Sequence, residues 1–267
     1  MNKYKYTDGD GEHLHQILKE DEYKPLTGTS SVLSVLSKPL HWWAVGVALE
    51  LFGFKKAKDS DGNWLKKEIR LESAKAGLEK VKALEPDGFL KLLDEAYYAH
   101  NKKKDSAAQG GKDIHALAET WIKGQMNGSN TEPDPSIMPL VNWAKANVDK
   151  WLWSEMNCYS ETHWLGGISD AGFLDKEGKV GILDLKSSKE AYLSQFIQCA
   201  GYDIQITENG GYNAEGDKVF DLDGKQISYY AIFPFGMKEP TAVLKGNVED
   251  LKQGFLSALN LYRLTNN

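Results

Sequence analysis

The chain has 267 residues, of which 41% are apolar and 26% charged, and carries a net charge of −6. That composition is ordinary for a globular protein, and the length suits one large domain or a core with an added helical subdomain. No apolar run approaches the roughly 20 residues of a membrane span, and the opening Met1-Asn2-Lys3-Tyr4-Lys5-Tyr6 lacks the hydrophobic stretch of a secretory signal, so a cytoplasmic protein without a membrane partner is expected.

In chain order, residues 1–28 are polar and mixed, with a turn at Asp8-Gly9-Asp10-Gly11. A helix is predicted from Ser30, capped by the neighbouring serines and threonine, with Trp42, Val45 and Leu49 at helical spacing. Leu71, Ala74, Leu78, Val81 and Leu84 predict a second helix over 66–84, which Pro86 breaks. Phe89, Leu92, Leu93 and Ala96 start another, and Ile114 to Lys123 a further one behind Gly110-Gly111. A loop rich in Gly, Asn, Asp and Pro from Gly124 to Pro135 reads as a mobile segment or insertion. Residues 137–152 then read as helix, and Cys158–Trp164, Ile168–Leu174 and Val180–Leu185 as strands. A helix over 189–207, strands at 227–235 and 242–244, and a closing helix over 248–264 complete the pattern, which is α/β.

The segment Gly181-Ile182-Leu183-Asp184-Leu185-Lys186 puts a carboxylate and an amine two residues apart, on one face of an otherwise apolar strand. Buried opposite charges are costly unless they pair or bind something. Asp170 lies fourteen residues before Asp184, a distance that suits two strands joined by the turn Asp175-Lys176-Glu177-Gly178. Pairing would bring the two carboxylates together, and they would repel without a cation between them. Oxygen ligands of this kind suit Mg2+ or Mn2+, and a metal so held can activate water and polarise a phosphoryl oxygen. Lys186 would orient that water or stabilise charge on the phosphate. A surface hairpin with a solvated Asp and Lys is the plain alternative for the tripeptide alone.

Three further segments accompany it: Gly111-Lys112-Asp113-Ile114-His115 opening a helix, Gly167-Ile168-Ser169-Asp170, and Gln198-Cys199-Ala200-Gly201-Tyr202. In this order and at these spacings the chain resembles the PD-(D/E)XK nuclease superfamily, and within it the RecB-like exonucleases, including phage-encoded members. The resemblance covers roughly residues 105–265, with a looser echo upstream in Thr29-Ser30-Ser31-Val32-Leu33-Ser34-Val35-Leu36, Lys38-Pro39 and Trp42-Trp43-Ala44. It implies a restriction-endonuclease-like core, a mixed central sheet flanked by helices, over 105–267, with a mostly helical elaboration over 1–104. It implies that His115, Asp170 and Asp184 hold Mg2+ or Mn2+ together with the backbone carbonyl of Leu185. Lys186 would be the catalytic lysine, and Gln198 and Tyr202 would contact DNA or brace the site. Relatives that bind an iron–sulfur cluster use four cysteines; this chain has two, Cys158 and Cys199, in no zinc-like spacing, so neither cluster nor structural zinc is expected and both should be free thiols. If the protein is viral, the compartment would be the host cytoplasm.

Glu119 follows His115 by four residues and shares its helix face, which makes it a partner for the imidazole. Glu155 stands where relatives often carry a glutamate and would either approach the metal or the DNA, or face solvent at a strand end. Gln195 lies one turn before Gln198, and the pairing with Tyr202 favours Gln198. His163 reads as a surface or packing residue. The acidic total does not exclude DNA, because phosphate contacts need only a local basic patch. Lys102-Lys103-Lys104 is one such patch, and Lys55-Lys56, Lys58 and Lys66-Lys67 make another. The expectation is a metal-dependent deoxyribonuclease, an exonuclease acting on single- or double-stranded DNA from a free end. Its rivals are a non-catalytic DNA-binding or scaffold protein on the same fold and a structure-specific endonuclease. Oligomeric state has no sequence signature here.

Overall fold

A computed structural model describes residues 2–9, 12–36, 41–54, 63–129 and 132–266, with only the backbone course at 12, 41–42 and 104–112. The chain forms two compact units, Met1–Ser37 with Gly111–Asn267, and Lys38–Gly110. The first 37 residues thus cluster with the sheet and not with the helical segment, whereas the expected boundary falls after residue 104.

The polar opening is not irregular. It forms the antiparallel strands β1 (Tyr4–Gly9), β2 (Glu12–Lys19) and β3 (Glu22–Pro25), in that order. The residues of the expected turn at Asp10-Gly11 lie outside the described residues. Only one residue in two needs to be apolar on a sheet with one wet face. Here Tyr4 and Ile17, each 1% exposed, form a small core with Leu26 and Tyr159, against which Tyr6 packs. A two-residue strand β4 (Thr27–Gly28) leads into α1 (Thr29–Val32) and a 3-10 turn over Leu33–Leu36. The predicted serine–threonine cap is not made: Gly28 stands at the N-cap and no side chain bonds the helix start.

The second unit holds α2 (His41–Leu51), α3 (Lys67–Lys82) and the first part of α4 (Pro86–Met126). Pro86 opens α4, a position where its missing N–H costs nothing. The helix then runs without interruption through Gly110-Gly111, so the glycine pair does not open a new helix. Glycine costs only about 1 kcal/mol in a helix interior, and the Lys and Ala residues around the pair offset it.

α5 (Met138–Asn147) ends five residues earlier than the periodicity suggests. Asn147 Nδ2 donates to the carbonyl of Trp143 at 2.8 Å and satisfies a terminal acceptor. The chain turns at once into β5 (Val148–Ser160), which pairs with β6 (Leu165–Asp175), and β6 with β7 (Val180–Lys186), all antiparallel. Gly178, at φ +80°, supplies the positive-φ residue of the β6–β7 turn, and its N–H donates to the Asp175 carbonyl at 3.0 Å. α6 (Leu193–Asn209) follows, then β8 (Gly211–Tyr212), β9 (Lys218–Phe220), β10 (Ile227–Pro234), β11 (Val243–Lys245) and α7 (Val248–Asn266).

β10 lies parallel to β7, so the sheet is mixed, in the order β11-β10-β7-β6-β5-β8-β9 with β4 added alongside β6. β7 is buried on both faces, which is why it reads as a continuous apolar run. Val180 and Ile182 join a core with Phe196, Cys199 and Ile206 of α6 and Phe255 of α7. Leu183 and Leu185 join the opposite core with Ala118 and Ile122 of α4 and Leu140 and Ala144 of α5. The result is an α/β unit with a mixed multi-strand sheet flanked by helices on both faces. Among the described residues, no helix is long and apolar enough to cross a membrane.

Candidate functional site

Asp170 is the centre of the site. The β6–β7 ladder stops at Ala171 opposite Leu183. The next step of that register sets Asp170 against Asp184, and the Leu185 N–H donates to Asp170 Oδ2 at 2.8 Å. A carboxylate therefore takes a hydrogen bond where the ladder ends. On the other side of β6, Ser154 lies opposite Ala171 and Met156 opposite Ser169, which gives Glu155 the position across from Asp170. Glu155 holds φ at +48°, a left-handed conformation rare for a residue with a side chain.

His115 comes from α4, with Nδ1 3.8 Å from Asp170 Oδ2. His115, Glu155 and Asp170 each present one ligand atom within 4.8 Å of the others, a spacing at which a single cation would touch all three. Among the described residues no other group of three does so. Burial holds the His115 imidazole below its ordinary pKa, against the raising effect of the Asp170 carboxylate and a hydrogen bond to the Leu185 backbone. Burial, then the charges of Asp170 and Glu119, push Glu155 up to about 8. Glu119 is ion-paired with Lys123, its own i+4 neighbour.

Asp184 stands outside that trio. It is 1% exposed, and its Oδ2 lies 2.6 Å from Lys186 Nζ. Among the described residues Oδ1 has no hydrogen-bond partner. Burial pushes Asp184 up to about 7, with Lys186 opposing. Lys186 is itself raised above its usual value, because the Asp184 and Asp170 carboxylates outweigh its own burial. A buried carboxylate with an unpartnered oxygen is unstable by elementary accounting unless something else satisfies it. With the neighbouring imidazole and two carboxylates, this donor set fits a hard divalent cation.

On α6, Gln198 Nε2 donates to the Tyr202 hydroxyl at 2.8 Å. Gln195 is occupied elsewhere: its Oε1 accepts the Tyr192 N–H at 2.8 Å at the helix start. Gly167 lets this helix approach β6, since a Cβ there would meet Thr29 Oγ1 at 2.7 Å and the Tyr202 ring at 2.8 Å. Cys158 and Cys199 are both buried and free.

The structure thus brings His115, Asp170, Leu185 and Glu155 together, with the Asp184–Lys186 pair on the next strand. The position of Glu155 was obscured because the strand pattern became legible only from Cys158, seven residues after its true buried stretch begins at Trp151. Lys102 and Lys103 belong to the other unit, where Lys103 Nζ lies 2.6 Å from Glu50. The Lys104 side chain and Lys55, Lys56, Lys58, Lys38 and Pro39 lie outside the described residues. His163 is part of the turn after β5: its N–H donates to Ser160 Oγ at 2.8 Å and its carbonyl accepts from Arg263 at 2.6 Å.

Fold and site together define an α/β protein with a histidine–carboxylate cluster at the end of a broken strand ladder. Compared with protein-family models and with curated proteins, the chain matches none.

Proposed function

We propose that this protein is a divalent-metal-dependent DNA nuclease with a PD-(D/E)XK core, an exonuclease acting at DNA ends. One observation carries the reading: Asp170 meets His115, Glu155 and the Leu185 backbone, beside a buried Asp184 whose Oδ1 has no hydrogen-bond partner among the described residues. The chain order of helix, three antiparallel strands, helix and parallel strand is the one that the resemblance implies. The preference for an exonuclease comes from the resemblance alone.

His115, Glu155 and Asp170 would hold Mg2+ or Mn2+, with Asp184 and the Leu185 carbonyl at its border. When bound, such an ion lowers the pKa of a coordinated water and polarises the phosphoryl oxygen. Histidine among the ligands makes Mn2+ an acceptable substitute. The Asp184 and Asp170 carboxylates hold Lys186 above its usual pKa, which suits it as a cation toward charge building on the phosphate. Glu119 holds Lys123 at the edge of the cluster. The Gln198–Tyr202 bond fixes the face of α6 behind Asp184.

The test is cleavage of end-labelled linear and closed circular DNA, single- and double-stranded, with Mg2+ or Mn2+. Loss of linear substrate only, reduced at least roughly a thousandfold in Asp184→Ala with the fold intact, is the expected result. Cutting of circles would instead make it an endonuclease. No cleavage of any substrate, with DNA still bound, would make it a non-catalytic binding protein. An unaltered rate in Asp184→Ala would overturn the catalytic assignment.

A further inference from the structure

Glu155 and Glu119 also line a groove of about 460 Å³. Its walls include Tyr6 of β1, Tyr212 of β8 and Phe220 of β9, all half-buried. Val219 at its rim is 59% exposed. Ser154, in the same lining, has a buried hydroxyl without a hydrogen-bond partner among the described residues. An aromatic wall suits a flat, polar-edged ligand. The volume lies toward the lower end of small-molecule sites, which span roughly 300–1,000 Å³. It is large enough for a nucleotide.

We infer that this groove is a nucleobase subsite, taking one or two unstacked bases next to the phosphate at the His115–Glu155–Asp170 cluster. The favoured substrate is then a single strand or a frayed end, because a base must leave its stack to enter. Stacking on Tyr6 and Phe220 would hold any of the four bases, giving strand preference without sequence preference. The identity of the occupant rests on the nuclease reading.

The experiment is fluorescence anisotropy in EDTA with a fluorescein-labelled ten-nucleotide oligothymidylate and a labelled blunt DNA hairpin. The wild-type chain should bind the oligothymidylate at least roughly tenfold more tightly than the hairpin. Tyr6→Ala should lose roughly tenfold in oligothymidylate affinity, and Tyr6→Phe should keep it. Should Tyr6→Ala melt abnormally, Val219→Asp decides, since a charge at an exposed rim position leaves the core alone and should weaken oligothymidylate binding. Equal affinity for both probes, or wild-type affinity in a normally melting Tyr6→Ala, would overturn the subsite. Metal-dependent cleavage with no strand preference would sink the subsite and leave the nuclease standing. Tyr6-dependent oligothymidylate binding without cleavage of any DNA would keep the subsite and sink the nuclease.

Discussion

Glu155 combines two costs at one residue. Its left-handed backbone is unfavourable by about 1–2 kcal/mol for a residue with a side chain, and its carboxyl is raised to about 8 by burial and by the Asp170 and Glu119 charges. A local outlier of this kind at a carboxylate cluster marks a place where stability and function conflict. Glu155→Gly relieves both costs and should raise stability by roughly 1 kcal/mol while weakening Mn2+ binding; thermal melting and calorimetry read the two effects separately. Protonation makes a second prediction. Glu155 and Asp184 have folded pKa values above their ordinary ones, about 8 and about 7, so a cation must displace their protons near neutral pH. Mn2+ affinity should therefore rise with pH from 6 to 8, by roughly tenfold per unit for each linked proton. A flat calorimetric profile across that window would show that the cation displaces no proton from either carboxylate.

At the scale of elements, α6 does most to align the site, because it packs on β5, β6, β7 and β10 and carries both Gln198 and Tyr202. It is tied down by Asp203, fully buried, which accepts from the Tyr230 hydroxyl at 2.7 Å and lies 3.0 Å from Lys252 of α7. Thr207 donates to the same carboxylate at 2.8 Å. Burial raises the Asp203 pKa, and Lys252 and the hydroxyls oppose that rise. Removing one partner of a buried pair strands the other charge, at about 3–5 kcal/mol. Lys252 keeps some solvent, so Asp203→Ala should cost about 3 kcal/mol, seen as a lower denaturation midpoint at unchanged m-value. A loss below about 0.5 kcal/mol would mean that α6 is held by apolar packing alone.

Across the whole molecule, charge sets the terms of any encounter with DNA. A net charge of −6 and an acidic cluster repel phosphate at long range. A binder that relies on a basic surface loses affinity steeply with salt. Here DNA affinity should instead rise when millimolar Mg2+ or Ca2+ is added at constant ionic strength, because the cation neutralises the carboxylates. Titration by anisotropy with and without the divalent ion measures this directly, and tighter binding in EDTA would contradict it.

The strands that carry the site were legible because burial leaves a local imprint: β6 and β7 are apolar runs around a glycine turn, and their polar interruptions stand out as Asp170, Asp184 and Lys186. The spacing of Gln198 and Tyr202 by one helical turn is equally local, and so is the hydrogen bond between them. The N-terminal sheet was not legible, since its buried face amounts to a few aromatic and aliphatic residues among charges. Nor was the unbroken α4, where neighbouring helix formers outweigh two glycines. By itself the amino-acid sequence determined which residues are chemically expensive to bury and the order in which they occur. Only the tertiary structure decided that Glu155, and not Asp184, joins His115 and Asp170 within 4.8 Å, and that Tyr6 lines a groove beside them. Those facts depend on strand register and on contacts between segments more than a hundred residues apart, which no local pattern encodes.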